Sequence, residues 1–251
     1  MTQHLTILTG ASRGMGLAMG LQLLQPGDTL LTLSRQTSDA LTEAAMDKGC
    51  ELLQWQQDLA DGATASARLA HWLGELPPRR YASATLINNA GVIARIGPLR
   101  DADAANLSQA LRVGLEAPML LTAAFLHATR GWGCELKVLN ISSGLGRRAM
   151  ASQAGYCAAK AGMDHFTRCL ALEEALLPRG AKVCSLAPGV IDTDMQVQLR
   201  SADAAAFPDR ANFTGMKEKG LLATPEDAAR NILAFLQRAD FGANPVADIR
   251  D

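Results

Sequence analysis

The sequence predicts an α/β protein with one doubly wound parallel sheet of about seven strands and helices on both faces. Short apolar runs alternate with longer helical patterns, and glycines follow the first run at once. The chain has 251 residues, of which 48% are hydrophobic and 20% are charged, so it is long enough to bury one large core. Since no linker or repeat divides it, we expect a single domain over residues 1–251.

Turn and cap residues delimit the elements of the first half of the chain. Pro26-Gly27 ends the first helix, Ser38 caps the second, Gly49 follows it, and Pro77-Pro78 stops the third. The predicted order is strand 5–9, helix 14–25, strand 29–34, helix 38–48, strand 51–56, helix 63–76 and strand 84–88.

Two long helices dominate the second half. The first is predicted over 103–129 with a bend at Pro118, and the second over 152–177, ended by Pro178. Strands 136–142, 182–187 and 246–249 and a helix over 225–238, capped by Thr224, complete the pattern. The weakest pattern lies at 192–223. Because insertions beyond a strand's carboxyl end lie over the ligand crevice of such sheets, we predict a substrate-covering flap there.

Charge and composition exclude several classes of function. The net charge of -1 argues against a nucleic-acid partner, and no apolar run approaches the roughly 20 residues that span a bilayer. The five cysteines have no C-x-x-C pair and the four histidines form no cluster, so we expect no disulfide framework and no metal. A reducing cytoplasm fits this cysteine usage.

A glycine-rich loop joins the first strand to the first helix, with the spacing G-x-x-x-G-x-G over 10–16. Glycines let the backbone turn sharply and approach a pyrophosphate, and the helix presents free N–H groups at its positive end. Any tight strand-to-helix turn can use glycines, but this context favours a nucleotide site. The candidate contacts are Gly10, Ser12, Arg13, Gly14, Met15 and Gly16.

Further motifs make the chain resemble the short-chain dehydrogenase/reductase family, whose fold is a Rossmann-type sheet. The resemblance covers about residues 5–195 in the family's order and near-family spacing. It rests on the glycine loop, Asp58-Leu59, Asn88-Asn89-Ala90-Gly91, Asn140-Ile141-Ser142-Ser143, Tyr156-x-x-x-Lys160 and Pro188-Gly189-Val190-Ile191-Asp192-Thr193.

The basic residues near the glycine loop predict NADP(H) as the cofactor. No acidic residue, of the kind that binds the ribose 2′-OH of NAD, occurs between Thr29 and Ser38. Arg13 and Arg35 suit a 2′-phosphate, although both could also be solvated surface side chains. The resemblance further implies cofactor contacts from Ser34, Asp58, Leu59, Asn89, Ala90, Gly91, Tyr156, Lys160, Pro188, Gly189, Ile191 and Thr193.

The predicted chemistry centres on Tyr156 and Lys160, which lie four residues apart and so face the same side of a helix. We expect the ammonium to lower the pKa of the phenol, which donates a proton to a carbonyl oxygen while hydride arrives at carbon. Ser143 would hydrogen-bond that oxygen; Ser142 is the alternative, and the resemblance favours Ser143. By itself a Y-x-x-x-K pair is more typical of an amphipathic helix with a surface lysine, and its combination with the glycine loop and the serine at a strand end favours the catalytic interpretation.

The chain departs from the family pattern at Gly114, where many members have asparagine. In the family that residue acts largely through its backbone carbonyl, which holds a water molecule linked to the lysine. Glycine keeps the carbonyl and loses the side chain, so a full catalytic tetrad is not expected.

Several stretches are similar to one branch of the family, the sepiapterin and benzil reductases. These include 187–196 and 246–251. The branch implies NADPH-dependent reduction of a small-molecule 1,2-dicarbonyl or of a sepiapterin-like pterin side chain. Substrate contacts would then come from Ser143, Tyr156, Met195 and Asp248. In sepiapterin reductases a carboxylate at the position of Asp248 anchors the pterin ring, whereas a surface aspartate is the plain alternative.

The flap's apolar residues could line a bulky-substrate pocket or, for most of them, simply pack the flap onto the core. They are Met195, Leu199, Phe207, Phe213 and Met216.

Two other functions remain open at this stage. One is a 3-oxoacyl-type reductase of the same family, and the other is a non-catalytic NADP-binding sensor, which the presence of both Tyr156 and Lys160 disfavours. The resemblance also implies a homodimer or homotetramer formed through the two long helices.

Overall fold

The computed structural model of the protein describes residues 3–251, and its strands form one parallel sheet. The strands are β1 His4–Thr9, β2 Thr29–Ser34, β3 Glu51–Gln56, β4 Ser83–Asn88, β5 Glu135–Ile141, β6 Lys182–Ala187 and β7 Val246–Asp248. Their order across the sheet is β3-β2-β1-β4-β5-β6-β7, which confirms the predicted doubly wound architecture. Because the strand order reverses between β1 and β4, a crevice opens there at the carboxyl ends of the strands.

Helices cover both faces of the sheet. They are α1 Gly14–Leu23, α2 Asp39–Lys48, α3 Gly62–Glu75, α4 Ala104–Leu111, α5 Ala117–Thr129, α6 Ala154–Glu174, α7 Asp194–Ser201, α8 Arg210–Glu218 and α9 Pro225–Leu236. One buried cluster unites the sheet with α3, α5 and α6, and a second unites its other face with α1, α2 and α9. The strands are apolar towards both clusters, as parallel strands covered on two sides must be.

The central strand shows how the sequence builds these two layers. Leu5 and Ile7 contribute to the cluster under α3 and α5, whereas Leu8 contributes to the cluster under α1 and α9. All three side chains are fully buried. Since burial of such a side chain stabilises the fold by about 1.5–3 kcal/mol, β1 anchors the crevice to a rigid base.

The predicted caps are confirmed. Ser38 Oγ accepts a hydrogen bond from the Leu41 N–H at the start of α2, and Gly49 ends that helix in a left-handed conformation. Thr224 Oγ1 accepts from the Asp227 N–H, and Pro225 occupies the first turn of α9. These residues supply partners for backbone groups that a helix end cannot satisfy within itself.

The long helix predicted over 103–129 is present as a continuous helical stretch over 104–129, but its irregularity is a π-helical turn before Pro118. A π-helical turn over Arg112–Glu116 separates α4 from α5, and the Ala117 N–H bonds the Arg112 carbonyl. Pro118 has no N–H to offer the carbonyl four residues earlier, at Gly114, so the helical ladder must change there. The disturbance therefore lies before the proline and places Gly114 in an irregular, buried turn.

The second long helix is shorter than predicted at both ends. Ser152 has φ of 64°, a left-handed conformation that cannot start a helix, so α6 begins at Ala154. At the other end, Pro178 disfavours helical geometry at the residue before it, and the chain leaves α6 through tight turns after Glu174.

The segment 192–223, predicted as a flap from its weak pattern, contains the two short helices α7 and α8. Its two ends are joined, because Asp192 N–H bonds the Ala223 carbonyl and Ala223 N–H bonds the Val190 carbonyl. Asp192 also pairs with Arg200 on α7 and Lys217 on α8. The segment is therefore a closed loop with its own internal ties.

Candidate active site

A cavity of about 630 Å³ opens at the carboxyl ends of the strands. All of the residues that the sequence nominated for cofactor, catalysis or substrate line it. They are Gly10, Ser12, Arg13, Gly14, Met15, Gly16, Ser34, Arg35, Asp58, Leu59, Asn89, Ala90, Gly91, Ser143, Tyr156, Lys160, Pro188, Gly189, Ile191, Thr193, Met195 and Asp248.

The glycine loop turns so closely that side chains are excluded at two of its positions. Gly10 has φ of 72°, and a Cβ there would lie 2.9 Å from the Ala90 Cα. A Cβ on Gly16 would lie 1.9 Å from the Gly10 carbonyl oxygen. At these two glycines the loop forms a backbone cradle that leads into the start of α1.

The start of α1 fits the pyrophosphate of a dinucleotide. The N-cap residue, Arg13, makes no capping hydrogen bond with the described residues, and the first turn of α1 contains no acidic side chain. Within the helix, no carboxylate neutralises the positive end of the dipole or bonds the free N–H groups. These groups are therefore available to a phosphate in the cavity.

Polar side chains fix the cradle to the neighbouring strands. Ser34 Oγ accepts from the Ala11 N–H at 2.8 Å, and Asn89 Nδ2 donates to the Thr9 carbonyl at 2.9 Å. The Thr9 hydroxyl in turn accepts from the Asn89 and Ala90 N–H groups. The side-chain nitrogen of Asn89 is therefore committed to the loop.

Arg13 and Arg35, the candidate 2′-phosphate residues, are exposed at the cavity. Arg13 Nη1 lies 2.9 Å from Asp194 Oδ2 at the start of α7. This ion pair could not be predicted from the sequence, since the two residues are far apart along the chain. An exposed pair of this kind contributes only about 0–1 kcal/mol, so a phosphate dianion can displace Asp194 from Arg13.

Tyr156 lies half-buried on the cavity wall near the start of α6, with Ser143 beside it. Burial raises the pKa of Tyr156, and a hydrogen bond with Ser143 opposes that rise. The expectation that Lys160 lowers this pKa is wrong for the protein alone: the Lys160 Nζ is 5.7 Å from the Tyr156 ring centroid and does not bond its hydroxyl. The phenol therefore stays protonated at neutral pH, as a proton donor requires.

The choice between Ser142 and Ser143 has a geometric basis. Ser142 is buried, and its hydroxyl donates to Asp164 Oδ1 at 2.6 Å. Ser143 Oγ accepts from the Leu145 N–H at 3.2 Å, and its own proton remains available towards Tyr156 and the cavity. This arrangement supports the choice of Ser143.

Lys160 is buried beneath the cavity, where its Nζ donates to the Ile141 carbonyl at 2.7 Å. Burial lowers the pKa of Lys160 to about 8, and the negative charge of Asp164 opposes this shift. The side chain also lies close to Gly91, where a Cβ would be 3.9 Å from Nζ. Lys160 therefore titrates near the upper end of the physiological range.

The titration of Lys160 predicts a pH dependence. Its ammonium is present below pH 8 and is lost as the pH rises through about 8. If that charge binds the cofactor, kcat/KM for NADPH, which reports groups of the free enzyme, should fall above that pH. A steady-state profile from pH 6 to 10 measures it, and a flat profile to pH 10 would contradict the assignment.

Asp164 is a residue of the site that the sequence reading missed. It is buried four residues after Lys160 and accepts from Ser142, from Ser185 Oγ at 2.6 Å and from Arg147 Nε at 3.1 Å. Three donors compensate the cost of burying this carboxylate. The i,i+4 spacing from Lys160 was the available signal, because it puts an acidic residue on the inner face of α6.

Gly114 faces α6 directly. A Cβ at this position would lie 3.3 Å from the Ala159 Cβ, tighter than most such contacts. Glycine therefore permits the close approach of the π-helical turn to the helix that bears Tyr156 and Lys160.

Apolar side chains of the segment 192–223 form part of the cavity wall. Met195, Leu199, Phe213 and Met216 line it and also belong to one hydrophobic cluster. Phe207 belongs to that cluster too, but it is fully buried, stacks on Phe213 at 5.6 Å and lies outside the cavity lining. The flap segment's apolar residues thus serve packing and lining together.

Asp248 is already engaged by a neighbour. Its Oδ1 accepts from the Arg250 N–H at 3.1 Å and from Nε at 2.7 Å, and its Oδ2 accepts from Nη2 at 2.6 Å. These bonds hold the pKa of Asp248 below its usual range. A pterin ring would therefore have to compete with Arg250 for both oxygens.

Within residues 3–251 no cluster of His, Cys, Asp or Glu suits a metal ion. The same range contains no helix long and apolar enough to cross a membrane.

Comparison with known proteins relates this site to others. The sequence model of the short chain dehydrogenase family matches residues 4–204. The chain is 33% identical to benzil reductase ((S)-benzoin forming) of Bacillus cereus, with 97% of this chain and 98% of that protein aligned. It is 33% identical to sepiapterin reductase of Rattus norvegicus, with 98% and 95% aligned.

A solved structure agrees with these matches. The crystal structure of a short-chain dehydrogenase/reductase from Burkholderia vietnamiensis has 32% identity and a TM-score of 0.66 over 100% of both chains. The alignments continue beyond residue 204, so the similarity includes α8 and α9 as well as the glycine loop.

Proposed function

This chain belongs to the short-chain dehydrogenase family, and from that premise we propose that it is an NADPH-dependent reductase of 1,2-dicarbonyl compounds. Membership makes it an oxidoreductase acting between alcohols and carbonyls. The observation that carries the finer proposal is the convergence of Tyr156, Ser143 and Lys160 with the glycine cradle in one cavity.

The proposed mechanism assigns one task to each side chain. The bound nicotinamide supplies hydride to the carbonyl carbon. Tyr156 donates its proton to the carbonyl oxygen, and Ser143 hydrogen-bonds the same oxygen as negative charge develops there. Lys160 holds the cofactor and adds positive charge beneath the phenol, while Asp164 keeps a negative charge next to Lys160.

NADPH is proposed over NADH on the charges around the cradle. Arg13 and Arg35 both line the cavity, and the end of β2 contains Ser34 where an acidic residue would select NAD. Two guanidinium groups suit a phosphate because each can form paired, charge-assisted hydrogen bonds.

The apolar lining favours a carbonyl compound with a hydrocarbon or aromatic body. Similarity to a benzil reductase supports a 1,2-dicarbonyl, and similarity to a sepiapterin reductase supports a pterin side chain as the second candidate. The Asp248–Arg250 pair favours the dicarbonyl, because a pterin would need the carboxylate that Arg250 occupies. A 3-oxoacyl reductase and a non-catalytic sensor have no comparable support in the site.

Consumption of NADPH tests the proposal directly. Absorbance at a fixed protein concentration would be followed with benzil, 1-phenyl-1,2-propanedione, diacetyl, sepiapterin and a 3-oxoacyl thioester. We expect the aromatic diketones to give the highest kcat/KM. Turnover of the thioester alone would favour the 3-oxoacyl-type reductase. No turnover of any carbonyl compound would overturn the proposal.

Replacement of Asp248 by Asn separates the two substrate classes. Arg250, the partner of Asp248, is largely exposed, so the ion pair contributes little. Its loss in Asp248→Asn should leave kcat/KM for benzil within about twofold of the native value. If a pterin is instead anchored by this carboxylate, sepiapterin should lose about 1.5–3 kcal/mol of binding. The ratio of the two kcat/KM values decides, and a selective loss with sepiapterin would replace the dicarbonyl proposal by the pterin one.

We also propose a homodimer or homotetramer in a reducing cytoplasm, with the whole chain as one catalytic unit and 192–223 as its flap. Large apolar side chains are exposed on α5 and at the end of α6 and beyond it, and the five cysteines are free. The exposed residues are Met119, Leu172, Leu176 and Leu177. Light scattering of the purified protein gives the subunit number.

A further inference from the structure

Gln153 contributes an unpaired amide to the wall of the cavity. The residue caps the N-terminus of α6 through its backbone and is only 4% exposed. Its Nε2 has no hydrogen-bond partner anywhere in residues 3–251. A buried donor without a partner costs stability, so retention of an amide here calls for an acceptor that arrives with a ligand.

The backbone before Gln153 is held in an unfavourable conformation. Ser152 has φ of 64°, which is uncommon for a residue with a side chain. Its Oγ donates to the Ala206 carbonyl of the flap segment at 2.6 Å, and its carbonyl accepts from the Gly97 N–H at 3.4 Å. Strain of this kind persists only where the surroundings impose it, and here it sets the direction in which Gln153 leaves the chain.

The neighbours of Gln153 define what it can recognise. Tyr156 lies three residues later, on the same side of the first turn of α6. The lining of the cavity combines apolar residues such as Met150 and Phe213 with polar ones such as Arg148. Among them, the Gln153 amide is a buried donor without a partner near the proton donor.

We propose that Gln153 binds the second carbonyl oxygen of a 1,2-dicarbonyl substrate while Tyr156 and Ser143 hold the first. This inference rests on the proposed function and names the residue that makes it selective. Nε2 can donate a hydrogen bond to the second carbonyl oxygen of a dicarbonyl. A monoketone of the same size has no second carbonyl oxygen and therefore cannot accept this bond.

A second unpaired amide in the cavity does not fit this role. Gln196 on α7 is buried and its Oε1 has no partner within residues 3–251. That atom is an acceptor, and a carbonyl oxygen cannot satisfy it. Of these two buried atoms without a partner, only Gln153 Nε2 can donate to a carbonyl oxygen.

Gln153→Met tests the proposal, because methionine has nearly the same shape and no amide. The full-length protein would be assayed with saturating NADPH on 1-phenyl-1,2-propanedione and on 2,2,2-trifluoroacetophenone, an activated ketone without a second carbonyl. We expect kcat/KM for the dione to fall about tenfold, while that for the monoketone stays near native. Gln153→Glu, which removes the donor and adds a charge, should lower the dione's value at least as much.

Stability and cofactor binding serve as independent readouts. Since methionine removes an unpaired buried donor, the melting temperature of Gln153→Met should equal or exceed that of the native protein. The Kd for NADPH should be unchanged, and Gln237→Met, at an exposed position after α9, is the matched control.

The outcomes distinguish a failure of the Gln153 assignment from a failure of the proposed function. Equal losses on both substrates would show that Gln153 only supports the fold around Tyr156, and no loss on either would show that it binds nothing. A native protein that reduces the dione, with no selective loss in Gln153→Met, overturns the inference and keeps the proposed function. A native protein that does not reduce the dione overturns the proposed function, and the inference falls with it.

Discussion

Tyr156→Phe should lower turnover by at least about 100-fold, because general acid catalysis typically contributes 10²–10⁴-fold. The change removes only the hydroxyl that would protonate the carbonyl oxygen. Burial raises the pKa of this phenol, so the native hydroxyl carries its proton at neutral pH. Single-turnover oxidation of NADPH measures the loss, and NADPH fluorescence should show an unchanged Kd.

The protein offers a matched control in its second tyrosine. Tyr81 is buried, stacks on Trp132 and donates from its hydroxyl to Thr29 Oγ1 at 3.1 Å, remote from the cavity lining. Tyr81→Phe should cost about 0.5–1.5 kcal/mol of stability and leave turnover unaffected. If Tyr156→Phe kept a rate similar to that of Tyr81→Phe, Tyr156 would not be the proton donor.

Replacing Arg13 and Arg35 together by Ala should weaken NADPH binding by at least about 100-fold and NADH binding far less. Each charge-assisted contact to a 2′-phosphate contributes about 1.5–3 kcal/mol, and NADH offers no such group. Titration of both cofactors against the native and the double-variant protein gives the ratio of Kd values. Raised salt should weaken the native protein's binding of NADPH in the same selective way.

Two further variants control this experiment. Arg130→Ala removes an exposed arginine outside the cavity and should change neither Kd. Asp194→Asn frees Arg13 from its exposed pair and should leave NADPH affinity equal or slightly higher. Equal losses of NADPH and NADH in the double variant would mean that the arginines only support the loop.

The fold was predictable because its signals are local. Apolar strands alternate with helices, and cap residues such as Ser38 and Thr224 mark where helices begin. The errors lie where distant residues decide the outcome. Gly114 in the π-helical turn packs against Ala159, and the left-handed Ser152 donates to Ala206. No window of sequence contains both members of either pair.

The site was predictable to a similar depth. The motifs named the residues that line the cavity, since each follows a strand or starts a helix at the same edge of the sheet. They could not name what those residues bond. The Asp194 partner of Arg13, the Arg250 grip on Asp248 and the donors around Asp164 arise from tertiary contacts. The fall in the pKa of Lys160 likewise follows from burial, which only the folded chain displays.

The joined ends of the segment 192–223 have an evolutionary consequence. Asp192 and Ala223 meet at one backbone bridge. The segment therefore leaves the body of the protein and returns to it at the same point. The cost of closing such a loop grows only slowly with its length, by about 0.6 kcal/mol for each doubling. Insertions, deletions and exchanges between the two ends should therefore be tolerated, and new substrate ranges can be acquired there while the reducing machinery is inherited unchanged.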